Sequence, residues 1–204
     1  MNADRALDFG RWRFVLMALA LAFVAGCGPK APQFEGVDIT GADYARDFHL
    51  KDTTGANRSL ADYRGKVVVI FFGYTQCPDV CPTTMAELKS VMQMLGPDAG
   101  KLQVLFVTLD PQRDTAALLS QYVPAFDERF IGLYGDERET QDTAKAFKIF
   151  YQRVDGPTPS TYTLDHTAGM YVFDPTGRVR LFLRQTQAAA SITHDVRLLM
   201  SAAG

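Results

Sequence analysis

The amino-acid sequence predicts an α/β fold in which a mixed central sheet is flanked by helices. Two apolar runs, at residues 67–72 and 102–109, are typical of strands that are buried on both faces. Between them, apolar side chains recur at spacings of three and four residues, which predicts a helix with one buried face. This helical stripe consists of Cys81, Met85, Leu88, Met92 and Leu95.

Shorter patterns predict the elements on either side of this β-α-β unit. Residues 48–50 alternate like a short strand, and the turn-rich residues 53–57 predict a hairpin tip. After the second buried strand, Asp114 and Thr115 are capping residues for a helix that ends near Tyr122.

The chain then continues with short elements. Residues 131–134 predict a strand, and a helix that starts at Asp136 or Thr140 ends near Phe147. Residues 150–154 are expected to be extended.

A hairpin and a helix complete the predicted fold. Residues 168–173 and 179–183 are strands on either side of the turn at residues 174–177. The apolar face of the last helix contains Ile192, Val196 and Leu199. A β-α-β unit followed by a β-β-α unit is the thioredoxin arrangement, so we expect a thioredoxin-like fold.

Two cysteines lie where a site is expected in such a sheet. Cys77 follows the first buried strand and Asp110 follows the second, so both are expected at the carboxyl edge of the sheet, where sites of open α/β sheets lie. Cys81 stands at the start of the helix, whose partial positive charge favours thiolate over thiol. Thiolates attack disulfides and also bind soft metals.

The spacing of Cys77 and Cys81 leaves three interpretations open. Three residues separate the cysteines, whereas C-x-x-C redox enzymes have two. The pair is therefore a redox-active dithiol, a metal site or a structural disulfide that closes a loop. A structural disulfide is disfavoured, because closing so short a loop constrains the unfolded chain little.

The N-terminus predicts export and membrane attachment. Residues 1–26 have a basic start followed by an apolar run, as in a signal peptide, and the segment before Cys27 resembles a bacterial lipoprotein signal. We therefore expect lipidation of Cys27, a tether at residues 27–44 and a thioredoxin-like domain at residues 45–204. The alternatives are an uncleaved anchor, or an ordinary signal with a chance cysteine.

Charge and cysteine content reduce the number of possible classes of function. The net charge of −2 and the lack of a basic stripe argue against nucleic-acid binding. The chain has 3 cysteines. Lipidation of one would leave a single pair in an oxidising compartment of the bacterial cell envelope.

A histidine is expected to face the cysteine pair. Asp165 and His166 lie in the loop that enters the strand at residues 168–173, where thiol oxidoreductases of this fold normally have a cis-proline. There is no proline between Pro159 and Pro175, so an imidazole takes that place. Two thiolates and one imidazole are a soft ligand set that suits copper, with zinc as the main competitor.

Other polar residues are assigned supporting roles. Asp110 and Asp165 are candidates to orient the metal ligands through hydrogen bonds without binding the metal themselves. Asp114 is expected to be a helix cap rather than a site residue, and His49 and His194 to be hydrogen-bonded structural residues.

Three segments together resemble the Sco/SenC family of copper-binding assembly proteins. Residues 77–84 are similar to its C-P-[DE]-[VI]-C-P motif, residues 108–115 to its D-P-x-R-D-T segment, and residues 165–167 to its D-H-[ST] segment. The resemblance extends over about residues 45–200. One departure is the loop at residues 156–163, which is often acidic in the family but not here.

The resemblance implies a specific function. Cys77, Cys81 and His166 would bind one copper ion, as Cu(I) or Cu(II). The family is implicated in maturing the dinuclear copper centre, CuA, of cytochrome c oxidase subunit II. Its members are membrane-tethered outside the cytoplasm, which agrees with the predicted lipid anchor. A copper donor protein would be a second partner.

Different classes of function remain open at this point. A metallochaperone would carry copper to the oxidase, whereas a thiol–disulfide oxidoreductase would reduce the copper-ligand cysteines of the oxidase subunit. A Cys77–Cys81 disulfide would abolish the copper site, so the two states exclude each other. A peroxidase is disfavoured because Thr75 does not fit the T-x-x-C pattern, and a tethered scaffold leaves His166 unexplained.

Overall fold

An eight-stranded mixed sheet forms the centre of the structure. The computed structural model describes residues 33–158 and 161–201. The predicted signal peptide at residues 1–26 and the predicted lipidation site Cys27 lie outside these described residues. Within the described ranges, no helix combines the length and the apolar character needed to cross a membrane.

The strands are numbered in chain order. They are β1 (Val37–Asp38), β2 (Leu50–Asp52), β3 (Asn57–Arg58), β4 (Val67–Gly73), β5 (Leu102–Thr108), β6 (Ile131–Tyr134), β7 (Tyr151–Val154), β8 (Thr163–His166), β9 (Gly169–Phe173) and β10 (Val179–Arg184). The main sheet has the order β1-β10-β9-β4-β5-β6-β2-β3, whereas β7 and β8 pair as a separate ribbon. Strands β4, β5 and β6 are parallel, and the other pairs are antiparallel.

Strands β4 and β5 form the buried centre, as their apolar runs predict. All of their residues are buried, because strands covered on both faces have no solvent-facing side. Their register aligns Val67 with Leu102 and Gly73 with Thr108, so both strands end at the same edge of the sheet. The backbone N–H of Leu109 donates to the Gly73 carbonyl at 2.8 Å. The loops that follow the two strands are therefore neighbours.

Helices flank the sheet and confirm the predicted fold class. The α-helices of the described residues are α1 (Val80–Leu95), α2 (Ala116–Tyr122), α3 (Glu137–Ala146) and α4 (Ala189–Ser201). Helix α1 buries the predicted apolar stripe. Helix α3 starts after Asp136, whose carboxylate accepts from the Glu139 backbone while the Glu139 carboxylate accepts from the Asp136 backbone, both at 2.8 Å. This capping box decides between the two predicted starts.

Two side chains fasten α1 to α4. The Glu87 carboxylate of α1 accepts from the backbone N–H of Ala189, in the first turn of α4, at 3.0 Å. The Arg197 guanidinium of α4 donates to the Met94 carbonyl near the end of α1 at 2.7 Å. Both bonds satisfy backbone groups that helix ends leave unpaired. They fix α1, which begins in the cysteine loop.

The folded domain begins earlier in the chain than the sequence predicts. Residues 37–38, which were expected to lie in the tether, pair with β10 as β1. The buried Asp195 carboxylate accepts from the backbone N–H groups of Glu35 and Gly36 at 2.9 and 2.8 Å. The compact unit accordingly begins at Phe34, before the boundary predicted at residue 45.

The predicted loop before the histidine also contains a strand. Residues 163–166 form β8, which pairs antiparallel with β7. Only Leu164 of this strand is fully buried, with exposed Thr163 and Asp165 on either side. A single buried side chain between polar neighbours is too short an alternation to be recognised as a strand.

Asp52 closes the turn between β2 and β3. Its carboxylate accepts from the backbone N–H groups of Thr54 and Ala56 at 2.8 and 3.2 Å, and from Arg58 Nε at 2.8 Å. Burial raises the pKa of Asp52, but the hydrogen bonds from Thr54 and Arg58 outweigh burial and lower the pKa to about 2.

Replacing Asp52 with Asn should lower the free energy of unfolding by about 2 kcal/mol at neutral pH. A carboxyl group with a lowered folded-state pKa stabilises the fold above its unfolded pKa of about 3.9, and this contribution is lost as the pH falls through the folded value. Urea unfolding measures the difference, which should shrink by about half near pH 3. The exposed Asp43→Asn control should change stability by less than about 0.5 kcal/mol. A deficit of Asp52→Asn that does not change with pH would contradict this assignment.

Candidate metal centre

The two cysteines lie at the carboxyl end of β4. Cys77 is half-buried in the loop that leaves this strand, and Cys81 is fully buried in the first turn of α1. Both are free thiols. The Cys81 backbone N–H donates to the Cys77 sulfur at 3.4 Å, so the start of the helix folds back against Cys77.

Room for the Cys81 sulfur depends on Gly73 at the end of β4. A Cβ atom at position 73 would lie 2.8 Å from Cys81 Sγ and 3.1 Å from the Phe106 ring. Both distances are shorter than ordinary van der Waals contacts. Glycine at this position therefore permits the close approach of the sulfur to the sheet.

His166 ends β8 and completes the cluster. Its Nε2 atom lies 3.7 Å from Cys81 Sγ. One potential donor atom from each of Cys77, Cys81 and His166 lies within 4.8 Å of the other two, and no other such cluster of histidine, cysteine and acidic residues occurs in the described parts of the chain. The structure thus brings together the three residues that the sequence singled out.

A backbone carbonyl sets the tautomer of His166. Its Nδ1 atom lies 3.1 Å from the Thr167 carbonyl oxygen. Because a carbonyl only accepts, Nδ1 carries the proton and the Nε2 lone pair is directed at the thiols. Asp165, a candidate to orient the site, is not the acceptor of this N–H; its charge only opposes the larger effect of burial, which lowers the pKa of His166.

Burial keeps Cys81 and His166 in their neutral forms when no cation is bound. It raises the pKa of the Cys81 thiol well above its usual range, so the thiolate that the helix start was expected to favour is not the resting form of Cys81. Burial also lowers the pKa of His166, against the opposing effects of Thr167 and Asp165. A cation that binds here must replace the thiol proton of Cys81, while the imidazole needs no deprotonation.

A small cavity gives access to the cluster. Its volume is about 290 Å³. It is lined by Tyr74, Cys77, Pro78, Asp79, Val80, Thr163, Leu164, Asp165, His166 and Ala168. The Tyr74 ring meets the His166 ring edge-on, with 6.0 Å between centroids. Cys77 and His166 are therefore reachable from solvent, whereas Cys81 lies behind them.

Asp114 has a role that sequence reasoning missed. The cap of α2 is Thr115, which accepts from the Leu118 backbone at 3.2 Å. Asp114 is buried instead and accepts from the Thr75 backbone at 3.0 Å, from the Thr75 hydroxyl at 2.5 Å and from the Thr108 hydroxyl at 2.6 Å. It thereby ties the cysteine loop to the end of β5. No local pattern marks this contact between residues far apart in the chain.

Asp110 likewise bonds to neighbouring residues of the site rather than to the three donors. It is 4% exposed, and its carboxylate accepts from Arg113 Nε at 2.5 Å and from the Tyr162 hydroxyl at 2.7 Å. The two remaining histidines lie outside the cluster. His49 is exposed, and His194 Nδ1 lies 3.0 Å from the Asp195 carboxylate.

The donor set defines what the centre can bind. Two thiolates and an imidazole suit copper or zinc, and structural zinc usually has four protein ligands. The cluster offers three. These residues therefore fit a soft cation that is satisfied by two or three protein donors.

The comparison with known families agrees with this geometry. The family model described as SCO1/SenC matches residues 37–201, a range that includes all three donors. The chain is 34% identical over 158 residues to the protein SCO2 homolog, mitochondrial, of Bos taurus, which covers 76% of this chain and 59% of that protein. The chain thus spans about three fifths of the length of that curated relative.

Two solved structures are similar to the chain over most of their length. Bradyrhizobium japonicum ScoI with copper bound has 34% identity and a TM-score of 0.69, with 75% of this chain and 97% of that chain covered. Apo Sco1 from Thermus thermophilus has 35% identity and a TM-score of 0.73, with 84% and 99% covered. The thioredoxin-like fold that the sequence predicts is confirmed by these neighbours.

Proposed function

The chain belongs to the SCO1/SenC family, and we propose that it is a membrane-tethered copper metallochaperone that helps to assemble the CuA centre of cytochrome c oxidase. In this proposal, Cys77, Cys81 and His166 hold one copper ion. The observation that carries the proposal is the convergence of these three donors within 4.8 Å. The copper bound by the Bradyrhizobium japonicum relative supports copper over zinc.

Each donor has a separate role in copper binding. Cu(I) is satisfied by the two thiolates, whereas Cu(II) needs the His166 nitrogen as a further ligand. Copper entry releases the proton that burial holds on Cys81, so loading is coupled to proton release. The Thr167 carbonyl keeps the His166 lone pair directed at the copper position, which limits the reorganisation on binding.

Transfer to a partner would proceed from the accessible side of the site. Cys77 and His166 line the cavity, while Cys81 is fully buried. A thiolate of cytochrome c oxidase subunit II entering the cavity would meet copper from this side and replace these two donors before Cys81. A copper donor protein would load the site by the reverse path.

A second candidate function is reduction of the copper-ligand cysteines of the oxidase subunit. It is favoured by the adjacency of the thiols, since the Cys81 N–H contacts the Cys77 sulfur at 3.4 Å and both thiols are free. Burial of Cys81 acts against it, because a thiol with a raised pKa supplies little thiolate to close the Cys77–Cys81 disulfide that reduction of a partner would leave. We therefore rank copper delivery first.

The proposed location in the cell rests on the sequence alone. We place the domain on the outer side of a bacterial membrane, with residues 1–26 removed and Cys27 lipidated. The compact unit begins at Phe34, so the proposed tether ends before that residue. This tether is shorter than the one that the sequence predicts.

The reduced full-length protein should bind one copper ion per chain, and Cys77→Ser or Cys81→Ser should abolish binding. The reason is that copper is left with one sulfur in either variant. Metal analysis of the detergent-solubilised protein measures the stoichiometry, with Cys27→Ser as the matched control that retains copper. Protein oxidised to the Cys77–Cys81 disulfide should not bind copper. Wild-type copper content in either serine variant would refute the assigned ligands.

His166→Ala should separate delivery from reduction. We expect Cu(II) affinity to fall by more than about 100-fold, since even a lost partner of a metal ligand costs about 10- to 100-fold. Cu(I) affinity should fall less, and the disulfide should still form. Competition titrations with both oxidation states measure this, and the exposed His49→Ala is the control. Oxidase assembly in cells should fail if copper delivery is the function. Normal oxidase copper in a His166→Ala strain would favour the reductase.

A further inference from the structure

We infer that Asp110, Arg113 and Tyr162 form a latch that positions His166 for copper, although none of them is a copper ligand. The inference rests on the proposed function, because it assigns these residues a role in the selective binding of Cu(II). The β7–β8 ribbon carries His166 at its end. The latch joins this ribbon to the loop that follows β5.

The ribbon needs such an attachment. Strands β7 and β8 pair only with each other and not with the main sheet. An isolated two-stranded ribbon is marginally stable in water, so its position must be fixed by side-chain contacts. Tyr162 and Leu164 are its buried side chains, at 7% and 8% exposure. Tyr162 lies directly before β8, four residues from His166.

Tyr162 is held through its hydroxyl, its ring and its backbone. The hydroxyl donates to Asp110 Oδ1 at 2.7 Å, and the backbone carbonyl accepts from the Arg113 guanidinium at 2.8 Å. The same guanidinium lies 3.5 Å from the ring centroid. Arg113 in turn donates to Asp110 through Nε, which closes the network. Three side chains thus fix one point of the ribbon in both position and orientation.

A second guanidinium completes the packing around the ring. Arg153 of β7 lies 3.7 Å from the Tyr162 centroid. Because Arg113 and Arg153 each lie so close to the ring centre, they occupy opposite faces of the ring. The phenol is therefore clamped between the ribbon and the β5 loop, with cation–π attraction on both sides.

Arg113 also contacts the cysteine side of the site. Its guanidinium donates to the Gln76 side chain at 3.2 Å, and Gln76 directly precedes Cys77. The guanidinium carbon lies 5.8 Å from the centroid of the Tyr74 ring. One side chain, 13% exposed, thus links the cysteine loop to the ribbon that carries His166. Lysine cannot reproduce this planar, forked arrangement.

This arrangement gives the latch a specific effect on copper. Cu(I) is satisfied by Cys77 and Cys81, which lie in the loop after β4 and in the first turn of α1, outside the ribbon. Cu(II) requires His166, whose distance from the sulfurs depends on where the ribbon lies. Loosening the latch should therefore weaken Cu(II) binding selectively, whereas general destabilisation would not discriminate between the two oxidation states.

Tyr162→Phe tests the latch, because it removes the hydroxyl and keeps the ring. In the metal-free full-length protein, backbone hydrogen exchange of residues 163–167 should accelerate about tenfold, as expected for loss of one buried bond to a carboxylate. Cu(II) affinity should fall about tenfold and Cu(I) affinity by less than about threefold. Arg113→Lys should likewise accelerate the exchange of residues 163–167 and serves as the second variant if Tyr162→Phe does not fold. Exchange is its readout, because Arg113 also contacts the cysteine loop through Gln76.

Tyr171→Phe is the matched control. Its hydroxyl is also buried and donates to the Phe147 carbonyl at 2.5 Å, but it lies in β9 of the main sheet. This variant should lose stability without changing the exchange of residues 163–167 or the ratio of Cu(II) to Cu(I) affinity.

The outcomes separate the latch from the proposed function. Unchanged exchange of residues 163–167 in Tyr162→Phe, or equal losses of Cu(I) and Cu(II) affinity, would overturn the latch. The exchange measurement needs no metal, so it decides the structural part of the inference by itself. If His166→Ala leaves Cu(II) binding intact, the ligand assignment fails instead, whatever the ribbon does.

Discussion

The Cys81 sulfur lies fully buried where α1 begins beside the carboxyl end of β4, and the rest of the site is arranged around this position. Gly73 provides the room, since a Cβ atom there would come within 2.8 Å of the sulfur. The far end of α1 is fastened to α4 through Arg197, and Asp114 ties the cysteine loop to β5. The sulfur therefore belongs to the most constrained part of the fold. His166 is held less directly, by a ribbon outside the main sheet.

Burial also determines the charge of the site. A thiolate or an imidazolium is disfavoured there, so the pKa of Cys81 is raised and that of His166 is lowered. A bound soft cation changes this, because its positive charge stabilises the Cys81 thiolate that burial alone disfavours. Cys81 and His166 are thus neutral donors in the metal-free site, and Cys81 releases its proton when a cation binds. Such a site favours binding and release over a standing supply of reactive thiolate.

Much of the fold and the three donors could be predicted from the sequence. The centre of the sheet follows from continuous apolar runs, and the place of Cys81 follows from a stripe at helical spacing. His166 was found from its position before a strand and from its motif. The strand around Leu164 was missed because only one of its side chains is buried. The roles of Asp114 and Arg113 depend on contacts with residues 39 and 49 positions away, which no local periodicity records.

X-ray absorption at the copper edge tests the central claim most directly, because it reports the atoms bound to copper without altering the protein. We predict that the reduced full-length protein loaded with Cu(II) gives a coordination shell of two sulfur atoms and one imidazole nitrogen. The same protein loaded with Cu(I) should retain both sulfurs. A Cu(II) shell that contains no sulfur, or two sulfurs without imidazole, would contradict the site described by Cys77, Cys81 and His166.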